Sequence, residues 1–326
     1  MKDIVLKNCT KGIMKMKTLI KNIEFELKYL KYKNIFWILI LFFMAINMLT
    51  LYMENQFVST SYNEYKFAQE YYKENPDEIE DDGSYEITQN DDGSMTVSNP
   101  LQYHFDQVSK SLFVVSPQYC VAQVLEMSFV LLPLLFCILG VFLANYDKNN
   151  GVYKHKILRF GRESYYLTKL IIGVGLIIAG VIVTAFLGKI LNVLFYRHIC
   201  NTYPVDEFEL GSAEMLSNDF TKIIIVILIC LVLYSISFVL ALFTNNSTIS
   251  LLLVVLYNYV APAKFAYGIK NCYRALLMDK FDFYGIVSIS DVKSVNLTFA
   301  ILLLIGITLI SQIFSYLMIK KRSAYI

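Results

Sequence analysis

Apolar residues fall along this chain in long blocks rather than in the narrow stripes of soluble helices. A helix crossing about 30 Å of hydrocarbon needs roughly 20 mainly apolar residues. Six blocks approach that length, at 35–53, 120–144, 167–195, 222–243, 247–263 and 297–319. The fifth is the shortest and the third the longest, and Glu126 is the only acid inside any of them. The pattern predicts an all-α polytopic membrane protein with six transmembrane helices.

Outside the blocks the periods change. In 1–34, the stretch 18–33 places Ile20, Ile23, Leu27 and Leu30 at helical spacing, with Lys21, Glu24, Lys28 and Lys31 on other faces. An amphipathic helix lying on a membrane surface and an ordinary solvated helix fit this spacing equally. The fifteen residues before Met16 carry little pattern, so Met14 or Met16 is the expected natural start. Residues 60–75 read as a helix ending before Pro76, and Asp-Asp-Gly-Ser then occurs twice, at 81–84 and 91–94. Asp-Gly is a turn signal, so 85–98 is expected to form a hairpin with Asp92-Gly93 at its tip. The region between the first two blocks is thus a small acidic α+β insertion. A calcium loop is the sharper reading, but the EF-hand order of ligands is not met at either glycine. The acidity is expected to keep an exposed domain soluble and to favour cationic ligands.

Charge orients the chain. Residues 1–34 carry nine Lys/Arg against three acids, and 145–169 carry six against two. The tail 320–326 adds Lys320, Lys321 and Arg322 without an acid. The loop 54–119 has three bases against thirteen acids, and 196–221 has one against five. Basic connections mark the cytoplasmic side, which puts both termini and the loop 145–166 there, in a multi-pass protein of the cell membrane. Residues 264–296 fit less simply, with five bases against three acids on the expected outer side. They read as an interfacial helical segment whose basic side chains snorkel to headgroups.

The composition agrees: 56% hydrophobic, 17% charged and a mean hydropathy of +0.50 leave too little polar surface for a soluble chain of 326 residues. Six cysteines, at 9, 120, 137, 200, 230 and 272, are widely spaced without a Cys-x-x-Cys pair, and three histidines stand far apart. No metal site is expected, and only Cys200 with Cys272 could form a disulfide. No secretory signal is legible, because the first block is too long and lacks a cleavage site. There is no phosphate-binding loop, since Gly188-Lys189 sits in an apolar block and is followed by Ile190. No His-Glu-x-x-His or Gly-x-Ser-x-Gly motif occurs, so no catalytic residues are assigned and the chain is not expected to be an enzyme. Lys189 is expected to snorkel, and Pro133 to kink its span. Glu126, with Gln123 about one turn before it, either lines a translocation path or solvates an outer vestibule.

The most informative stretch runs from 144 to 172. Gly151 and Gly161 bracket Val-Tyr-Lys-His-Lys-Ile-Leu-Arg-Phe, which can form a short amphipathic helix. Lys154, Lys156 and Arg159 can face a partner, with Val152, Ile157 and Leu158 as apolar anchors. This loop resembles the inner loop of ABC transporter permeases of the type-2 exporter class. Asp147 stands for the family's acid, Gly151-Val152 for its Gly-Thr, Phe160-Gly161-Arg162 for its Pro-Ser-Arg turn and Lys169 for its final lysine. Val for Thr and Gly for Ser are departures. The stretch 18–33 is similar to the family's elbow helix. The large first loop and the helical segment before the last span also agree.

The resemblance implies a permease subunit of an ATP-driven exporter, paired with a second permease, identical or not. ATP and magnesium would be bound by a separate ABC ATPase subunit and no cofactor by this chain. The ATPase would push the helix at 152–160 through Asp147, Gly151, Val152, Lys154, Lys156, Ile157, Leu158, Arg159, Gly161 and Arg162. Membrane lipid is an expected partner and nucleic acid is not. A peptide, antimicrobial or lipid-like substrate, in a low-GC bacterium, would suit such a permease. The alternative is a non-transporting immunity or sensor protein that binds a cationic peptide through its acidic outer domain. A secondary transporter is disfavoured by the single carboxylate within the spans.

Overall fold

Asn34 separates two long helices at the start of the chain. Its left-handed backbone (φ 58°) turns α1 (Lys2–Tyr32) into α2 (Ile35–Glu74). The 40 residues of α2 give a rod of about 60 Å, twice the thickness of the hydrocarbon layer. The polar stretch 60–75 is therefore the far half of the same helix and not a separate element. The computed structural model describes residues 2–75, 84–89, 95–208, 215–262, 265–289 and 292–321, with 2–15, Gln89 and Met95 described by backbone alone.

Two short strands follow, β1 (Ile87–Gln89) and β2 (Met95–Val97), antiparallel with Ile87 opposite Val97. They pair as the two arms expected within 85–98, and the turn expected at Asp92-Gly93 lies outside the described residues, as do 81–83. Asn99 then caps α3 (Pro100–Val115) by accepting from Gln102 N at 3.1 Å. α3 packs on the far half of α2 around Val58, Val108, Leu112, Ile199 and Phe208. Ile199 belongs to the end of α7 (Arg162–Thr202). The insertion is thus built on extensions of two spans, with a small core of its own.

The second apolar block is broken. α4 (Cys120–Ser128) stops at Phe129–Val130 and α5 (Leu131–Asn149) continues. Pro133 has no N–H to give Phe129 O, which is where an unbroken helix would need one. The expected kink is a local break in the hydrogen-bond ladder, with Phe129 and Val130 keeping helical backbone angles. α6 (Tyr153–Phe160) and α7 come next, and then α8 (Asp219–Thr244), capped by Asn218 at its start and ended by left-handed Asn245 (φ 54°). α5 and α8 approach closely at Gly140, where a Cβ would stand 2.3 Å from Ser237 Oγ and 2.7 Å from the Tyr234 carbonyl.

The block 247–263 is α9 (Ser247–Val255) prolonged by a π-turn, Leu256–Val260. Fourteen residues give about 21 Å, short of the hydrocarbon thickness. Among the described residues, five helices are therefore long and apolar enough to cross a membrane: α2, α5, α7, α8 and α11 (Leu297–Lys321). The basic segment before α11 contains α10 (Ile269–Lys280), which buries Cys272, Tyr273, Leu276 and Leu277. Cys200 and Cys272 are both free. One apolar core, including Phe43, Phe136, Ile177, Leu233 and Leu304, joins the long helices.

Candidate functional site

Four charged side chains from four elements meet where α1, α5, α6 and α7 converge. Lys156 of α6 and Lys169 of α7 each contact Glu26 of α1, and each lies 2.7 Å from an oxygen of Asp147 near the end of α5. Each carboxylate bridges both ammonium groups, so the ring alternates in sign and sums to zero. All four are at most 2% exposed. Burying an unpaired ion would cost several kcal/mol, and a closed ring with two opposite neighbours for every charge offsets that cost. Aromatic faces close the remaining sides. Lys156 Nζ sits 5.1 Å from the Tyr29 ring and 5.7 Å from Phe25, and Lys169 Nζ sits 5.5 Å from Tyr165.

Asp147 lies three residues beyond the apolar block that ends at 144. Burial pushes its carboxyl up, but the charges of Lys169 and Lys156 outweigh burial and hold its pKa below the ordinary carboxylate value. Tyr153 and Tyr165, edge to face at 5.3 Å, pack beside the ring.

Local backbone chemistry sets the ring up. Gly151 (φ 69°) ends the turn after α5, and Gly161 (φ 80°) ends α6. Both adopt the left-handed region that L side chains avoid, so two tight turns are possible only eight residues of helix apart. α6 is therefore folded back and places Lys156 inward.

The inner face of α1 mixes polar and apolar residues. Asn22, Glu26 and Leu30, spaced by four, are buried, and Asn22 Nδ2 donates to Ser164 O at 3.3 Å. Of the apolar residues that gave the helix its period, Ile20 and Leu27 are 54% and 40% exposed. The apolar stripe is split: Ile23 and Leu30 pack against the protein core beside Asn22 and Glu26, while Ile20 and Leu27 face outward.

Asp147 and Lys156 belong to the ring, Gly151 and Gly161 bracket it, and Val152 is half-buried at the start of α6. Ile157 is buried beside Tyr153. Lys154 and Arg159 are exposed, and Leu158, expected as an anchor, is 70% exposed on the same outward face. Arg159 stacks on Phe160 at 5.1 Å. Arg162 donates to the Lys320 carbonyl at 2.6 Å and ties the turn to the end of α11. The roles of Lys156 and Leu158 are thus exchanged relative to their chemistry: the cation points in and the leucine points out. Glu26 has no place in the sequence expectation. The signal available for it was the spacing of Asn22 and Glu26, one turn apart on one helix face.

Gln123 and Glu126 lie elsewhere, both 1% exposed beneath the segment 281–285. Glu126 Oε1 accepts from Tyr119 Oη at 2.5 Å and from Phe283 N at 3.2 Å. Phe283 has a positive φ of 48°, unusual for a bulky residue, so the carboxylate holds a strained backbone in place. Lys222 and Asp282, buried and 2.7 Å apart, fasten the same segment to the start of α8. Gln123 packs against Gly285, where a Cβ would fall 2.5 Å from Gln123 Oε1. Among the described residues, no three His, Cys, Asp or Glu side chains are grouped as a metal site requires.

The chain matches no protein-family profile, no curated protein and no solved structure.

Proposed function

We propose that this chain is the membrane-spanning permease subunit of an ATP-driven exporter of the type-2 ABC class, working as a pair with a second permease and with cytoplasmic ATPase subunits. The observation that carries this reading is the buried ring of Glu26, Asp147, Lys156 and Lys169. It locks a short helix between two long ones to the amphipathic helix that precedes the first span. Force applied to α6 would reach α1, α5 and α7 together, because a neutral, buried ion ring resists being opened one contact at a time. Leu158, flanked on the exposed face by Lys154, His155 and Arg159, supplies an apolar contact rimmed by cations. Such a surface fits an acidic-rimmed apolar groove on a partner.

In this reading six crossings are made by α2, α4 with α5, α7, α8, α9 with its π-turn and the segment after it, and α11. Both termini and α6 lie in the cytoplasm of a cell whose membrane holds the protein. ATP and magnesium belong to the partner. The exported material is a peptide, an antimicrobial or a lipid-like molecule.

Isolation of the tagged chain in mild detergent tests this directly. An ATP-hydrolysing subunit should co-purify in stoichiometric amount. Isolation without such a subunit, together with binding of cationic peptides that is abolished by deleting 54–118, would instead support a receptor.

A further inference from the structure

Between the α4–α5 break and α10 lies a cavity of about 80 Å³. Phe129 and Val130 form one wall and Leu233 of α8 another, while Tyr259, Tyr273 and Arg274 close the rest. Two helices lose their regular hydrogen-bond ladder at this level, one at Phe129–Val130 and one at the π-turn, and π-turns often mark functional positions.

Most of the polar groups released there have partners. Tyr259 Oη donates to Val130 O at 2.6 Å, Tyr273 Oη to Asn258 Oδ1 at 2.5 Å, and Lys270 Nζ to Ala261 O at 2.5 Å. Arg274 Nε does not: it is buried and has no hydrogen-bond partner. Lys270 and Arg274 stand one helical turn apart. Among the described residues neither has a carboxylate within ion-pair distance, and the nearby acids Asp282 and Asp279 are held by Lys222 and Lys280. Burial lowers the Lys270 pKa and the Arg274 charge lowers it further, as expected where two cations share a poorly solvated site without a counter-ion. The buried ring and the Lys222–Asp282 pair each balance their charges, whereas Lys270 and Arg274 have no such carboxylate.

The lining of the cavity says where a counter-ion comes from. Val130 of its wall is 42% exposed. Apart from Asn258 and Arg274 the lining is apolar and aromatic, as a surface in contact with acyl chains would be.

We propose that this cavity binds a phosphate-class anion on Arg274, with Lys270 adding charge, and that the headgroup of a membrane phospholipid supplies it. The planar guanidinium fork matches phosphate oxygens, and charge-assisted bonds would give Arg274 the partner it lacks. This site stands whether or not the permease reading holds.

The test uses the full chain, delipidated in a maltoside detergent and phosphate-free buffer. Its melting temperature is followed while phosphatidylglycerol, diacylglycerol or inorganic phosphate is added. Phosphatidylglycerol should raise it and diacylglycerol, which lacks the phosphate, should not. Stabilisation by inorganic phosphate as well would make free phosphate a sufficient ligand; its failure would assign the site to lipid. Arg274→Gln should shift the phosphatidylglycerol midpoint by roughly tenfold, the scale of one charge-assisted hydrogen bond. If that variant does not fold, Arg274→Lys serves, because a point charge without the fork must also weaken binding. Equal stabilisation by diacylglycerol, or an unchanged midpoint in the Arg274 variant, would overturn the proposal.

Discussion

Lys156 and Glu26, 130 positions apart in the sequence, are ion-paired in the protein interior. One lies on an eight-residue helix and the other on the helix preceding the first span. Their contact fixes a basic loop to the helix that precedes the first long apolar helix, because Asp147 and Lys169 complete the ring around them.

Removing one member should be worse than removing a balanced pair. Lys156→Met leaves two buried carboxylates facing a single ammonium, and breaking a buried pair in this way costs about 3–5 kcal/mol. Denaturant or thermal unfolding in detergent reads this as a large loss. A change within the range of ordinary surface substitutions would mean that the ring is not formed.

The pair Glu26→Gln and Lys169→Met gives a sharper reading. Residues in one ionic network couple by about 0.5–3 kcal/mol, so the double variant should be more stable than the two single losses summed. Strict additivity would argue that these side chains do not touch.

Acid acts on the ring through Asp147. Its folded pKa lies below the unfolded value, so its contribution is present above about pH 4 and is lost as pH falls through the lowered folded value. The stability difference between wild type and Asp147→Asn should stay constant from about pH 7 to about pH 5 and shrink only below about pH 4. A difference that already fades near neutrality would contradict the sign.

Much of this architecture was legible in the sequence. The apolar blocks gave α2, α7, α8 and α11 through length alone, and Gly151 and Gly161 announced α6. The ring was only half visible. Asp147, Lys156 and Lys169 stood out in one loop, but Glu26 is distant in sequence and hides among charged residues of α1. Its burial depends on which side of that helix meets the protein, and periodicity does not decide this, since the buried face mixes Asn22 and Glu26 with Ile23 and Leu30. The break at Phe129–Val130 followed from Pro133, whereas the shortness of α9 depends on a π-turn that carries no sequence signature.

Glu126 should prove to be a strut. Glu126→Ala removes the acceptor of Tyr119 Oη and Phe283 N, and leaving buried donors unpaired costs about 1–3 kcal/mol. Hydrogen exchange at 281–285 should accelerate in the Ala variant and remain near wild type in Glu126→Gln, which keeps an acceptor oxygen. Equal acceleration in both variants would show that charge matters more than the hydrogen bonds.

Close packing of α5 on α8 depends on Gly140. In Gly140→Ala the new methyl meets the Tyr234 carbonyl and Ser237 Oγ, and overpacking of this kind costs about 1–3 kcal/mol. A melting temperature equal to wild type would mean that the two helices can separate without penalty.

The central claim is that the outward face of α6 receives an ATPase while its inward face holds the ring. Leu158→Asp tests it most directly, because Leu158 is 70% exposed and its loss should alter the chain's own stability by no more than about 0.5 kcal/mol. The measurement is the amount of ATP-hydrolysing subunit that co-purifies with the tagged variant, compared with wild type at equal yield of folded chain. A loss of the partner at unchanged melting temperature is the predicted result. Full retention of the partner by Leu158→Asp, or isolation of the wild-type chain without any such subunit, would contradict it.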